Sequence, residues 1–186
     1  MKRIILVRHG EPDVTIRSRI AGSEIKTFLQ RYDNASLKAD TYPSDKLCFL
    51  AQNAKTVFCS PLPRSVESAQ RCGVRQFSKN SLFIEAIPPH PRIARLRLKP
   101  KTWLLVSRMF ALAGFSMHGE SLRMTRKRAK EAARLLILSA KNGDVMLFGH
   151  GLFNLYIAAA LRKEGYEGPK VPVRNFWDYA IYRKND

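Results

Sequence analysis

Carboxylates are scarce in this chain. Only 15 of its 186 residues are Asp or Glu, against 33 Lys or Arg, which leaves a formal net charge of +18. The few acids are not clustered, so nothing in the sequence supplies the ligands of a two-metal hydrolytic site. Cysteine is nearly as rare: Cys48, Cys59 and Cys72 are odd in number and lack metal-site spacing. A reducing compartment is the simplest reading, and Cys59, closing an apolar run, reads as a small buried hydrophobe rather than a reactive thiol. No apolar stretch approaches the length needed to span a bilayer. The four apolar residues after Lys2-Arg3 are too few for a secretory h-region. The expected location is cytoplasmic. Internal repeats and low-complexity linkers are absent as well.

What is present is ordinary globular material, 45% apolar and 26% charged, long enough for one substantial core. The expectation is a single domain over residues 1–186 with a lid-like helical excursion at about 86–115. The positive excess points to anionic partners: phosphorylated metabolites, nucleic acid, polyphosphate or an acidic membrane surface.

Short apolar runs predict buried strands at Arg3 to Val7, Thr56 to Cys59, Leu82 to Glu85 and Asp144 to Phe148, with a weaker one at Asp178 to Tyr182. Helices are expected from about Asp45 to Asn53 with Ser44 as N-cap, from about Arg64 to Cys72 ended by Gly73, and from Pro100 to a stop at Gly114. Two more are expected from about Ser121 to Ala140, with Leu135, Leu136 and Leu138 facing the core, and from about Leu152 to Arg162. Strands alternating with helices give an α/β fold with a mainly parallel sheet.

The chemistry gathers at the predicted carboxyl ends of the strands, where such sheets bind ligands. The first strand offers Arg8, His9 and Glu11, the second Ser60 and Arg64, the third Glu85 and the fourth His150. Two arginines with two histidines make an electropositive pocket, and the guanidinium fork suits phosphate oxygens. The helices after Gly151 and around Arg64 are expected to add backbone N–H donors. Phosphate or sulfate is the expected ligand.

Arg8-His9-Gly10-Glu11, then Ser60-Pro61-Leu62-Pro63-Arg64-Ser65 with Ser68-Ala69, then Gly119-Glu120-Ser121 and Gly149-His150-Gly151 resemble, in order, the motifs of the histidine phosphatase superfamily, the phosphoglycerate mutase-like group. The resemblance implies a three-layer α/β/α sandwich and a metal-independent phosphomonoesterase of the histidine acid phosphatase type. It implies His9 as nucleophile through a phosphohistidine, and Arg8, Arg64 and His150 as holders of the phosphoryl oxygens. A carboxylic acid must protonate the leaving group; Glu85 is the candidate, with Glu11 and Glu120 as reserves. No metal or cofactor is implied. The chain is short for the insertions of cofactor-dependent mutases, so hydrolysis is expected over mutase activity.

Pro88-Pro89-His90-Pro91 bends the chain after Glu85, and His90 and His118 flank the excursion as candidate substrate contacts. Its basic run Arg92, Arg95, Arg97, Lys99, Lys101 leads into Trp103-Leu104-Leu105-Val106. This reads as a lid packed by its apolar face over a small phosphorylated metabolite bearing a further negative charge, ahead of a membrane-surface helix. The alternatives are a protein phosphohistidine or phosphoprotein phosphatase, and an inactive module binding phosphate or nucleic acid.

Overall fold

The computed structural model describes residues 2–14, 19–86, 93, 95–112 and 120–184. The chain begins with β1 (Arg3–Arg8), a short β2 (Ile20–Ala21), a 3-10 turn (Gly22–Glu24) and α1 (Ile25–Asp33). It continues through α2 (Asp45–Gln52), β3 (Thr56–Cys59), α3 (Pro63–Arg71), β4 (Ser78–Lys79) and a second 3-10 turn (Ser81–Phe83). Then come β5 (Arg97–Leu98), α4 (Pro100–Leu112), α5 (Leu122–Ala140), β6 (Val145–Gly149), α6 (Gly151–Lys163) and β7 (Tyr179–Arg183).

The main sheet has the order β4-β3-β6-β1-β7. β1, β6, β3 and β4 run parallel, and β7 closes one edge antiparallel to β1. Strand alternation divides the core into two layers. Ile4 and Leu6 of β1, Val145 and Leu147 of β6 and Phe58 of β3 turn to one face, against α5 and α6. Ile5, Val7, Met146, Phe148, Val57 and Cys59 turn to the other, against α2 and α3. The result is the expected three-layer α/β arrangement.

Local chemistry sets most boundaries. The Ser44 hydroxyl accepts from the Leu47 N–H and opens α2, and Ser121 does the same for α5 through Met124. Gly73, at φ +78°, ends the turn after α3.

The expected strand at Leu82 to Glu85 is not there. The Asn80 side chain accepts from the Leu82 N–H at 2.9 Å and caps the 3-10 turn instead. Phe83 enters the core beside Phe58, ring centroids 5.5 Å apart, while the sheet-pairing residues are Ser78 and Lys79, just upstream. In α5 the core face is Ala129, Ala132, Ala133, Leu136 and Ala140; Leu135 is partly buried and Leu138 is exposed, contrary to expectation. Helix α1 was not anticipated. Of the 86–115 excursion, the ribbon of β5 with β2 and the helix α4 are described. The bend 88–91, the stop at Gly114 and the Gly119 that precedes Glu120 lie outside the described residues.

Gly149 shows how tightly the sheet end is built. A Cβ there would come within 2.6 Å of Asn154 Oδ1. Asn154 is fully buried and its amide donates to the Val7 carbonyl at 3.0 Å, so it cannot swing aside. Gly149→Ala should therefore cost about 1–3 kcal/mol of stability, read as a lowered urea midpoint with an unchanged slope.

Candidate active site

Three strand ends converge. β1 pairs with β6 so that Arg8 lies opposite Gly149, and β6 with β3 so that Phe148 lies opposite Cys59. The residues that follow, His9 and His150, thus emerge side by side, with Ser60 one step back, level with Gly149. The imidazoles of His9 and His150 meet edge to face with centroids 5.1 Å apart.

His9 is buried, with Nδ1 2.7 Å from the Gly10 carbonyl oxygen. A carbonyl can only accept, which assigns the ring proton to Nδ1 and leaves the lone pair on Nε2. Arg64 Nε–H donates to that Nε2 at 3.2 Å. Burial, then the charges of Arg64 and Arg8, hold the His9 pKa well below the usual 6.5, so the ring is neutral. His150 is held low by burial first and then by His9, Arg64, Arg8 and Arg128. Its Nε2 lies 3.4 Å from Ser65 Oγ, and its Nδ1 is buried with no partner among the described residues.

Gly10 makes the loop fit. A Cβ on it would fall 2.3 Å from the Trp177 ring. That ring is fixed by Nε1 donating to Thr41 Oγ1 and by the Trp177 N–H donating to the Arg8 carbonyl. Ser68 accepts from the Gly10 N–H at 2.9 Å and ties the loop to α3.

Both arginines reach the site. Arg64 is 1% exposed; beyond its bond to His9 it donates to the carbonyls of Tyr32 and Asp33 and, at 3.1 Å, to Asp33 Oδ1. Its guanidinium lies 4.8 Å from the Tyr32 ring centroid. Arg8 lies 4.4 Å over Phe176, donates to the Arg174 carbonyl, and keeps a buried Nε with no partner among the described residues. Gly151 leaves that Nε room, since a Cβ there would stand 3.3 Å from it.

The three candidate carboxylates separate clearly. Glu85 follows a 3-10 turn rather than a strand, yet its carboxylate reaches the first turn of α6. Oε1 accepts from the N–H groups of Phe153 at 2.8 Å and Ala86 at 3.0 Å, and Oε2 from Leu152 at 3.4 Å. Burial raises its pKa above the usual carboxylate range despite those bonds and the Arg64 charge. Glu11 is paired with Lys38, and Glu120 holds Arg128 through both oxygens. The donors of α6 expected for an anion are thus bonded to Glu85 instead. Ser60 is buried, and its hydroxyl accepts from the Leu62 N–H.

Several residues at the site were assigned no role from the sequence: Tyr32 and Asp33 at the end of α1, Ser65 and Ser68 of the second motif, now inside α3, and Phe176 and Trp177 before β7. Ile25, Phe28, Leu29 and Tyr32 do show the i, i+3, i+4, i+7 spacing that announces α1. Phe176 carries no comparable signal. His90 and His118 lie outside the described residues. The described cations of the excursion, Arg95, Arg97 and Lys99, are exposed, and Arg97 bridges to Glu24 at 3.5 Å.

The fold is that of a mainly parallel α/β protein, with two imidazoles and two guanidiniums gathered at the strand ends. The model of the histidine phosphatase superfamily (branch 1) matches residues 4–177, and the chain belongs to that family. A comparison with curated proteins finds no match. Among solved structures, the Rv3214 open reading frame product of Mycobacterium tuberculosis is similar at TM-score 0.62 and 19% identity, over 97% of this chain and 90% of that one. Mycobacterial glucosyl-3-phosphoglycerate phosphatase is similar at 0.58 and 19%, over 87% and 80%. A phosphoserine phosphatase from Entamoeba histolytica is similar at 0.56 and 17%, over 97% and 90%.

The two neutral histidines make stability pH-dependent in a definite direction. Unfolded, each titrates near 6.5; folded, each titrates well below that. Below about 6.5 the unfolded chain binds more protons, so stability is lost as pH falls through the window beneath that value. In anion-free buffer, urea denaturation should show wild type losing more stability on acidification than His9→Gln/His150→Gln. Parallel losses in both would remove the histidines as the cause.

Proposed function

We propose that the protein is a metal-independent phosphatase that hydrolyses phosphomonoesters through a phosphohistidine, with a small phosphorylated metabolite as substrate. The observation that carries this is the state of His9: neutral, protonated at Nδ1, its Nε2 accepting from Arg64 and its ring beside that of His150.

In the first step Nε2 gives up its hydrogen bond from Arg64, whose N–H turns to a phosphoryl oxygen, and attacks phosphorus as the bond to the ester oxygen breaks. The departing alkoxide takes a proton from Glu85, whose raised pKa suits an acid. In the second step Glu85 accepts a proton from water, the water oxygen attacks phosphorus, and the P–N bond to His9 breaks. A neutral nucleophile approaches an anionic ester without charge repulsion, and Arg8, Arg64 and His150 offset the charge on the equatorial oxygens. The names of two similar structures, a glucosyl-3-phosphoglycerate phosphatase and a phosphoserine phosphatase, favour a small phosphorylated metabolite over a phosphoprotein.

A panel of phosphomonoesters assayed without added metal should show turnover, and His9→Ala should lower it on the order of a thousandfold or more. Phosphate binding without turnover in the wild type would instead identify an anion-binding module. Glu85→Gln should slow alkyl phosphates by roughly 10²–10⁴ and aryl phosphates far less, since a good leaving group needs little protonation. Equal slowing of both would move the acid role to another residue.

A further inference from the structure

Helix α4 is apolar on opposite faces. Trp103 and Ser107 form its buried side, and the Trp103 indole N–H donates to the Ile20 carbonyl at 2.8 Å. Leu105 and Met109, about 200° around the helix from that pair, face solvent at 58% and 60% exposure. The inward side alone explains the fold. The outward side places two large apolar side chains one turn apart in water, an arrangement that calls for a covering surface.

The segment leading into α4 extends the same character. Ile93 and Leu96 are exposed at 41% and 47%, and Arg95 and Lys99 are exposed between and after them. Along the sequence from Ala86 to Gly119 there is no Asp or Glu at all. Such a mix of exposed aliphatic side chains and unopposed cations is what an anionic lipid surface recognises: the aliphatics enter the headgroup boundary and the cations meet lipid phosphate and carboxylate. A second copy of the chain is a poor occupant, because it would bring an equally basic face and a further +18 of charge. Nucleic acid would meet the cations but leave Leu105 and Met109 in water.

We propose that the outer face of α4, with residues 93 and 95–99 before it, docks on an anionic lipid bilayer. The contact is peripheral: among the described residues no helix is long and apolar enough to cross a membrane. It is independent of the catalytic reading, since no described side chain of α4 is placed at the phosphoryl site.

The test is co-sedimentation of the full chain with phosphatidylcholine vesicles and with phosphatidylcholine vesicles containing phosphatidylserine. Wild type should bind only the second. Leu105→Gln/Met109→Gln should weaken that binding roughly tenfold or more, and Arg95→Glu/Lys99→Glu should weaken it as well. Leu105 and Met109 are exposed, so the melting temperature and aryl phosphatase rate of the glutamine variant should match wild type. Three results would each overturn the docking: no binding of wild type to phosphatidylserine vesicles, equal binding by the glutamine variant (net charge acting alone), or a lipid-free wild-type dimer that the glutamine variant dissolves.

Discussion

A buried guanidinium beside an uncharged imidazole is the constraint on which the site depends. Taking Arg64 out of water costs several kcal/mol unless its donors find partners. They find them on His9 Nε2, the Tyr32 and Asp33 carbonyls and the Asp33 carboxylate. Those carbonyls belong to the last turn of α1, the negative end of the helix dipole, so an element of the β1–α2 connection is held over α3 by the charge it neutralises. The same cation acts on His9: it opposes protonation of the ring and takes up the lone pair on Nε2. One contact thus links position, tautomer and charge state.

The sheet does the rest by register. Parallel neighbours lie about 4.8 Å apart, and residues one step past paired positions stay level. With Arg8 opposite Gly149, His9 and His150 must face each other near that spacing, as their 5.1 Å centroid separation shows. No side-chain interaction is needed to bring them together. The glycines on either side keep the gap open: Gly10 for the Trp177 ring, Gly149 for Asn154 and Gly151 for Arg8.

This division explains what could be read from the residues alone. Strand ends are legible, because apolar runs stop abruptly at Arg8, Cys59 and Gly149, and Arg8, His9 and His150 ride on them, with Arg64 in the first turn of the helix that follows β3. Groups supplied by connections are not. Phe176 arrives without a periodic signal, and Trp177, though it alternates with Tyr179 and Ile181 in the sequence, leaves the strand pattern by adopting φ +66°, which no pattern of neighbours announces. The Leu82 to Glu85 run shows the opposite failure. Its three apolar residues satisfy a strand pattern, but one Asn80 side-chain bond wins locally and turns the chain into a 3-10 helix. Glu85 still reaches α6, since its place is secured by the N–H groups it accepts from and not by strand geometry.

Those N–H groups also bear on how a carboxyl group can donate there. Three backbone bonds to an ionised Glu85 pull its pKa down, and burial pulls it up more strongly. The bonds are unequally shared. Oε1 accepts from both Ala86 and Phe153, and either bond survives if the proton sits on the other oxygen. Oε2 has only the 3.4 Å contact with Leu152 to lose. On the proposed mechanism Oε2 therefore carries the proton: protonation there sacrifices the weakest of the three bonds, while Oε1 keeps the carboxyl group locked to the first turn of α6. On that proposal the helix N-terminus holds the acid in place, and meeting the phosphoryl oxygens is left to Arg8, Arg64 and His150.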